Sequence, residues 1–217
     1  MTPTEPSSPP RLVLASSSPQ RRAILKRLGV AFTVRPTDVE ELDRGDPAEV
    51  ALENALRKAR AARRGVAEAD AGVETGGGAA TELVLGCDTL VALDGTIYGK
   101  PRDERDARVT LRALGGATHE VLSGLALLGG GGDGAPEQIP PERTAVVHTA
   151  VSFRELDEGI LDWYLARGEW RGRAGGYAIQ GAGAALVTAV EGDYENVVGL
   201  PLAALLDICP ELLFACK

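Results

Sequence analysis

Histidine and cysteine are scarce in this chain: there are two histidines and three cysteines among 217 residues. Cys87, Cys209 and Cys216 are odd in number and lack metal-ligand spacing. That argues against a disulfide framework and against a cysteine metal site, and fits a reduced, cytoplasmic setting. Cys87 stands in an apolar run, where a thiol serves as a small buried hydrophobe rather than a nucleophile. Positive charge is also short, with 23 Lys and Arg against 31 Asp and Glu, a net charge of −8. Neither a nucleic-acid surface nor an anionic membrane is expected as a partner, although a local basic pocket still suits a polyanion. Long apolar runs are missing: no stretch spans a bilayer, and the proline-rich start lacks the apolar core of a signal peptide. What remains is 44% hydrophobic and 25% charged, enough for one large domain or two small lobes with a core that needs no staples.

The stretch from Gly86 to Pro101 organises the reading. Leu83-Val84-Leu85 is of strand type and runs on to Asp88 and Thr89; Leu90 to Leu93 continue it, and Asp94-Gly95 before Thr96-Ile97-Tyr98 is a two-residue hairpin signal. With residues 93 and 96 flanking the turn, Thr89 falls opposite Lys100 and alternation puts the lysine on Thr89's face. Lys100 precedes Pro101, however, so the strand is expected to end there and the long side chain to reach round to Asp88 near the open end. A carboxylate, a hydroxyl and an ammonium converging there suit metal and phosphate chemistry. An edge hairpin with ordinary surface charges is the other reading.

Residues 1–10 are Pro, Ser and Thr in the main and are expected to be a disordered tail. Leu12 to Ala15 read as a buried strand, followed by Ser16-Ser17-Ser18 and Pro19. Ser18 as N-cap with Pro19 at the first helical position starts a helix that turns Ala23, Ile24, Leu25 and Leu28 inward and stops at Gly29. Its first turn holds Gln20, Arg21 and Arg22. Cations there oppose the helix dipole by roughly 0.3–1 kcal/mol each. Beside three hydroxyls and free N–H groups they make sense if an anion binds; otherwise they extend into solvent.

Ala31 to Arg35 read as a second strand, and the acidic run Asp38 to Asp43 either supplies a metal ligand or is a solvated loop. Asp46-Pro47 opens a helix with Ala51, Leu52, Ala55, Leu56, Ala59 and Ala62 on one arc and Lys58 at its edge. Residues 65–81 suggest a frayed end and a flexible loop. Asp103 caps a helix carrying Ala107, Leu111 and Leu114; residues 118–128 and 145–153 form a long hairpin with a disordered tip; Asp157 starts a short helix with Ile160, Leu161 and Tyr164. Arg173 to Gly181 are glycine-dense around Tyr177 and Gln180, and Gln180 can pair with a base edge or simply be a satisfied turn residue. Ala184 to Val190 read as a strand, and a terminal helix turns Leu202, Leu205, Leu206 and Cys209 inward.

Taken together, the chain resembles the Maf family of nucleoside triphosphate pyrophosphatases over nearly all of residues 11–213. The resemblance rests on Leu14-Ala15-Ser16 through Ser18-Pro19-Gln20-Arg21-Arg22, on Asp88-Thr89, Asp94-Gly95 and Gly99-Lys100-Pro101, and on Gly116 with His119-Glu120-Val121. It continues through Ala174-Gly175, Tyr177-Ala178-Ile179-Gln180-Gly181, Gly192-Asp193-Tyr194 and Asn196 to Leu202. It implies one domain over 11–217, with two lobes around a deep cleft. The fold implied is α/β, an elongated mixed sheet with flanking helices, related to the inosine triphosphate pyrophosphatases. The implied reaction hydrolyses a nucleoside triphosphate to monophosphate and pyrophosphate with a divalent cation, Mg2+ or Mn2+, in a cytoplasmic protein that can form a homodimer.

Carried over by position, Asp88 corresponds to the general base, Glu41 with Asp88 to the metal-site carboxylates, and Arg21, Lys58 and Lys100 to phosphate holders, beside Ser16 and Ser18. No serine or cysteine nucleophile with a paired base is evident, which favours direct water attack; His119 is expected to be a structural hydrogen-bonder. For the base, Thr89 and Gln180 match the branch acting on thymidine and uridine triphosphates, while Gln20 stands where that branch carries arginine. Another triphosphate, such as that of 7-methylguanosine, cytidine or a modified uridine, is the alternative substrate. A nucleotide-binding regulator of septum formation without turnover is the alternative class. Cys87 replaces the usual alanine and Arg173 the usual lysine, which keeps the charge and changes its geometry.

Overall fold

The computed structural model describes residues 11–70, 82–129 and 142–213. The expected N-terminal tail, the loop beyond residue 70 and the hairpin tip lie outside the described residues. Strand β1 (Arg11–Leu14) passes through the three serines into helix α1 (Pro19–Arg27), where the Ser18 side chain accepts from the Arg21 backbone N–H and Pro19 occupies the first turn. Gly29, at φ 72°, ends it. The inward stripe of α1 is Arg21, Ile24 and Leu25, with Leu28 half-buried, and Ala23 is exposed, contrary to expectation. At about 100° per residue Ala23 lies on the face opposite Arg21, and it is the arginine that turns in.

Strand β2 (Phe32–Val34) lies parallel to β1. Helix α2 (Pro47–Asp70) starts on Asp46, whose carboxylate accepts from the N–H groups of Ala48 and Glu49. The helix continues through the segment expected to fray, as far as Asp70. Strand β3 (Glu82–Leu93) turns at Asp94-Gly95, both at positive φ, into β4 (Thr96–Tyr98). Helix α3 (Glu104–Leu114) follows the Asp103 cap, β5 (Thr118–Gly129) and β6 (Glu142–Phe153) form the long antiparallel pair, and α4 (Glu158–Leu165) starts on Asp157. Residues 184–186, expected to open a strand, belong instead to a 3-10 turn (Ala182–Leu186), so β7 is only Val187–Glu191. Two short helices, α5 (Tyr194–Val198) and α6 (Leu202–Ile208), are separated by Gly199 at φ 126° and by Pro201.

The seven strands form one mixed sheet in the order β2-β1-β3-β5-β6-β7, with β4 also on β3. Helices cover both faces at the parallel end, as the alternation in β1 dictates. Leu12 and Leu14 pack with Ile24, Leu25 and Leu205 on one side, while Val13 and Ala15 meet Ala55, Ala59 and Ala62 of α2 on the other. The small residues of α2 bring its backbone down on the sheet. A Cβ on Gly86 would sit 2.1 Å from the Ala55 carbonyl, and one on Gly124 2.3 Å from that of Ala51. No described helix is long and apolar enough to cross a membrane.

One feature of the pairing opens the cleft. Along one edge of β3, pairing with β1 ends at Leu85 and pairing with β4 begins at Val91. The other edge is paired to β5 without a break. Residues 86–90 therefore face a gap, and Asp88 and Thr89 stand in it, pointing to opposite faces of the sheet.

Candidate active site

The gap widens into a cleft of about 290 Å3, rimmed by the serine turn and α1 on one side and the Lys100 segment on the other. Ser16, Ser18, Gln20, Arg21, Glu41, Lys58, Asp88, Thr89, Lys100 and Gln180 all line it. Arg22, the second cation of the first turn, is exposed and outside it.

On the α2 face, Lys58 lies almost wholly buried between two carboxylates. Its Nζ is 2.6 Å from Asp88 Oδ1 and 2.7 Å from Glu41 Oε1. Asp88's second oxygen accepts from Asn54 Nδ2 at 3.0 Å. Asn54 also clamps the acidic loop, accepting from Leu42 N–H at 2.7 Å and donating to its carbonyl at 3.0 Å. Lys100 Nζ is 3.8 Å from Glu41 Oε2. The expected meeting of Asp88 with Lys100 is thus replaced: strand β4 ends at Tyr98, the lysine leaves the ladder, and α2 supplies the cation at Asp88. Burial pushes the Glu41 pKa upward, but the Lys58 hydrogen bond and the charges of Lys58, Lys100 and Arg21 outweigh it, leaving the carboxyl below its ordinary value.

On the α1 face, the buried guanidinium of Arg21 is fixed at three atoms. Nε donates to the Gly199 carbonyl at 2.8 Å, Nη1 to Ser16 Oγ at 3.1 Å and Nη2 to Thr89 Oγ1 at 3.1 Å. Of the five N–H groups an arginine offers, two stay unassigned among the described residues. Thr89 Oγ1 lies 2.7 Å from Ser123 Oγ, its partner across the ladder. Ser18 Oγ donates to Gln20 Oε1 at 3.1 Å. The exposed Gln180 side chain has no hydrogen-bond partner among the described residues.

Asn54, Thr37, Ser123 and the Gly199 carbonyl escaped the sequence reading. For Asn54 a signal existed: it precedes Lys58 by one helical turn, a polar residue on an otherwise apolar arc. His119 is the structural hydrogen-bonder expected, its Nε2 2.9 Å from the Tyr177 hydroxyl within an edge-to-face cluster with Phe153. Cys87 is fully buried in the core, and burial raises its pKa.

No group of three or more His, Cys, Asp or Glu that could hold a metal is present among the described residues. The chemistry of the donor set still fits a hard divalent cation. Asp88 and Glu41 bracket the Lys58 ammonium, and a Mg2+- or Mn2+-type cation would need only one or two such carboxylates from the protein, with phosphate oxygens and water as its other ligands.

The family model described as "Maf-like protein" matches residues 11–212. A dTTP/UTP pyrophosphatase of Anaeromyxobacter dehalogenans is 45% identical over 194 residues, covering 89% of this chain and 90% of that protein. Another, of Pyrococcus furiosus, is 40% identical over 200 residues, covering 91% and 93%. A third, of Moorella thermoacetica, is 43% identical over 196 residues, covering 88% and 90%. The solved Ham1 protein of Staphylococcus aureus aligns at a TM-score of 0.39 and 15% identity over 67% of this chain and 72% of that one.

Proposed function

This chain belongs to the Maf family, and from that premise we propose that it hydrolyses dTTP and UTP to the monophosphate and pyrophosphate. The observation that carries the proposal is the Glu41–Lys58–Asp88 cluster in the gap of the sheet, with Arg21 held on the opposite face. Water attacks the α-phosphorus, the bond to the bridging α,β-oxygen breaks, and pyrophosphate leaves with the electron pair. Asp88 accepts the water proton: its carboxylate is fixed by Lys58 and Asn54, which aim it while leaving lone pairs free. Arg21 binds phosphate oxygens through the N–H groups its protein partners leave unassigned, and Lys58 and Lys100 offset charge on the rest of the polyanion.

Asp88 and Glu41 would hold a divalent cation. When bound, that ion polarises a phosphoryl oxygen and lowers the pKa of water. Gln180, carrying both a donor and an acceptor, fits the carbonyl and N–H edge of thymine or uracil, and Thr89 and Gln20, the other selectivity positions, line the same cleft. The test is pyrophosphate release with Mg2+ or Mn2+ across the triphosphates of thymidine, uridine, cytidine, inosine and 7-methylguanosine, with Asp88→Asn as control. Turnover led by the thymidine and uridine forms, lost in the control, is expected. Preference for another base would move the assignment to Gln20, and no turnover on any of them would overturn the hydrolase reading.

A further inference from the structure

We infer that Arg173 is a further substrate contact, its guanidinium holding the two terminal phosphates that depart as pyrophosphate. The inference rests on the triphosphate reading above and concerns a residue that reading leaves without a role.

Among the cations lining the cleft, three have partners. Arg21 is bonded at three atoms, Lys58 joins two carboxylates, and Lys100 stands near Glu41. Arg173 lines the same cleft, yet its guanidinium makes no hydrogen bond or ion pair with the described residues. Its Nε is fully buried and unpartnered. A buried donor without a partner is destabilising, and an arginine kept only for structure would have gained one. The Thr37 hydroxyl is a second buried and unpartnered polar group in a residue lining the cleft. The rest of the Arg173 guanidinium, in a side chain that lines the cleft and has no partner among the described residues, is what a bound anion would meet.

The backbone fixes where Arg173 acts. It opens the 3-10 turn Ala174–Gly176, in which Gly175 and Gly176 stand at φ 67° and 69°. Gly175 N–H donates to the Gly99 carbonyl at 3.2 Å, which ties the turn to the segment bearing Lys100. The turn cannot lift away easily, since a Cβ on Gly175 would already sit 2.8 Å from Val91 Cγ2. Arg173 and Lys100 therefore rim the cleft from adjoining segments. Like charges so placed repel unless an anion offsets them, and Glu41, 3.8 Å from Lys100, makes no ion pair with Arg173.

Donor chemistry selects the part of the substrate. A guanidinium offers N–H donors in a fork and no acceptor, which matches phosphate oxygens. A pyrimidine edge alternates carbonyl and N–H, which arginine cannot satisfy and Gln180 can. Arg173 accordingly belongs to the phosphates, beside Lys100.

The experiment is calorimetric titration of wild type, Arg173→Ala and Arg173→Lys with inorganic pyrophosphate and, separately, with dTMP, thermal unfolding confirming that each variant is folded. Arg173→Ala is expected to weaken pyrophosphate binding by about ten- to a hundredfold, the loss of a charged hydrogen-bonding partner, and to leave dTMP binding unchanged. Arg173→Lys recovers part of the loss, because it restores the charge without the fork. Unchanged pyrophosphate binding in Arg173→Ala, or an equal loss for dTMP, would overturn the inference. The two readings separate cleanly: a wild type without turnover whose pyrophosphate binding still depends on Arg173 sinks the hydrolase and keeps the contact. An active wild type matched by Arg173→Ala in both binding and turnover sinks the contact alone.

Discussion

Asn54 and Lys58, one turn apart on α2, hold the two oxygens of Asp88 separately: Nδ2 reaches Oδ2 at 3.0 Å and Nζ reaches Oδ1 at 2.6 Å. The asparagine is 2% exposed and also bonds both backbone groups of Leu42. It thereby ties the loop bearing Glu41 to the carboxylate that Glu41 must work with. Asn54→Ala leaves the Leu42 N–H and carbonyl without that partner and frees Asp88 to rotate. The variant should lose about 2 kcal/mol in urea unfolding, with kcat for dTTP falling more than KM rises. A kcat like that of wild type would show that Asp88 needs no second anchor.

Lys58→Met keeps the shape of the buried stem and removes the ammonium that two carboxylates share. Burial would then be opposed only by the charges of Lys100 and Arg21, and the Glu41 carboxyl, held low in the wild type chiefly by that hydrogen bond, would rise. Since Glu41 must be ionised to serve the site, the acidic limb of the pH–rate profile should move to higher pH, with residual turnover about a hundredfold lower. An acidic limb that stays in place would show that Glu41 does not govern it.

Every site residue expected from the sequence or from the resemblance lines the cleft, and some were placed by a strong local signal. Ser18-Pro19 fixes where α1 begins and so where Arg21 points; Asp94-Gly95 fixes the register of β3 and β4. The partner of Asp88 was not legible. The hairpin register suggested Lys100, but the structure supplies Lys58 through the crossing of α2 over Gly86 and Gly124. That crossing depends on the summed packing of small residues on three elements, which no local pattern reports. Arg21 turning in where Ala23 was expected has the same origin, since a distant carbonyl, that of Gly199, receives it.

Gly86→Ala tests that crossing directly. Its Cβ would meet the Ala55 carbonyl at 2.1 Å and the Ala59 side chain and backbone nitrogen at 2.9 Å. Neither neighbour is a flexible chain end, so α2 itself must shift. A destabilisation of about 1–3 kcal/mol is expected from the overpacking. Pyrophosphate release should fall as well, since Lys58 and Asn54 move off Asp88 with the helix. Gly95→Ala, at a turn with nothing within 4 Å, is the control for backbone strain without the clash. A Gly86→Ala protein as stable and active as wild type would mean that α2 approaches the sheet less closely than the structure shows.

His119 gives the stability of the fold a defined pH dependence. It is 1% exposed, and burial lowers its pKa from 6.5 to about 4. In the unfolded chain the ring takes up a proton as pH falls through 6.5, while the folded protein resists until about 4. The unfolded state therefore binds more protons in that window. The contribution of His119 is complete above pH 6.5 and is lost progressively on the way down to about 4. The full amount is roughly 3 kcal/mol at 1.36 kcal/mol per pH unit. In His119→Gln, an amide able to reach the Tyr177 hydroxyl but unable to titrate, stability should be lower at neutral pH yet flatter across that window. Urea unfolding of both proteins in steps from pH 7.5 to 4 isolates the difference from the carboxylates common to both. Parallel curves would mean that the ring takes up its proton at the same pH in the folded as in the unfolded chain, and that burial does not hold it neutral.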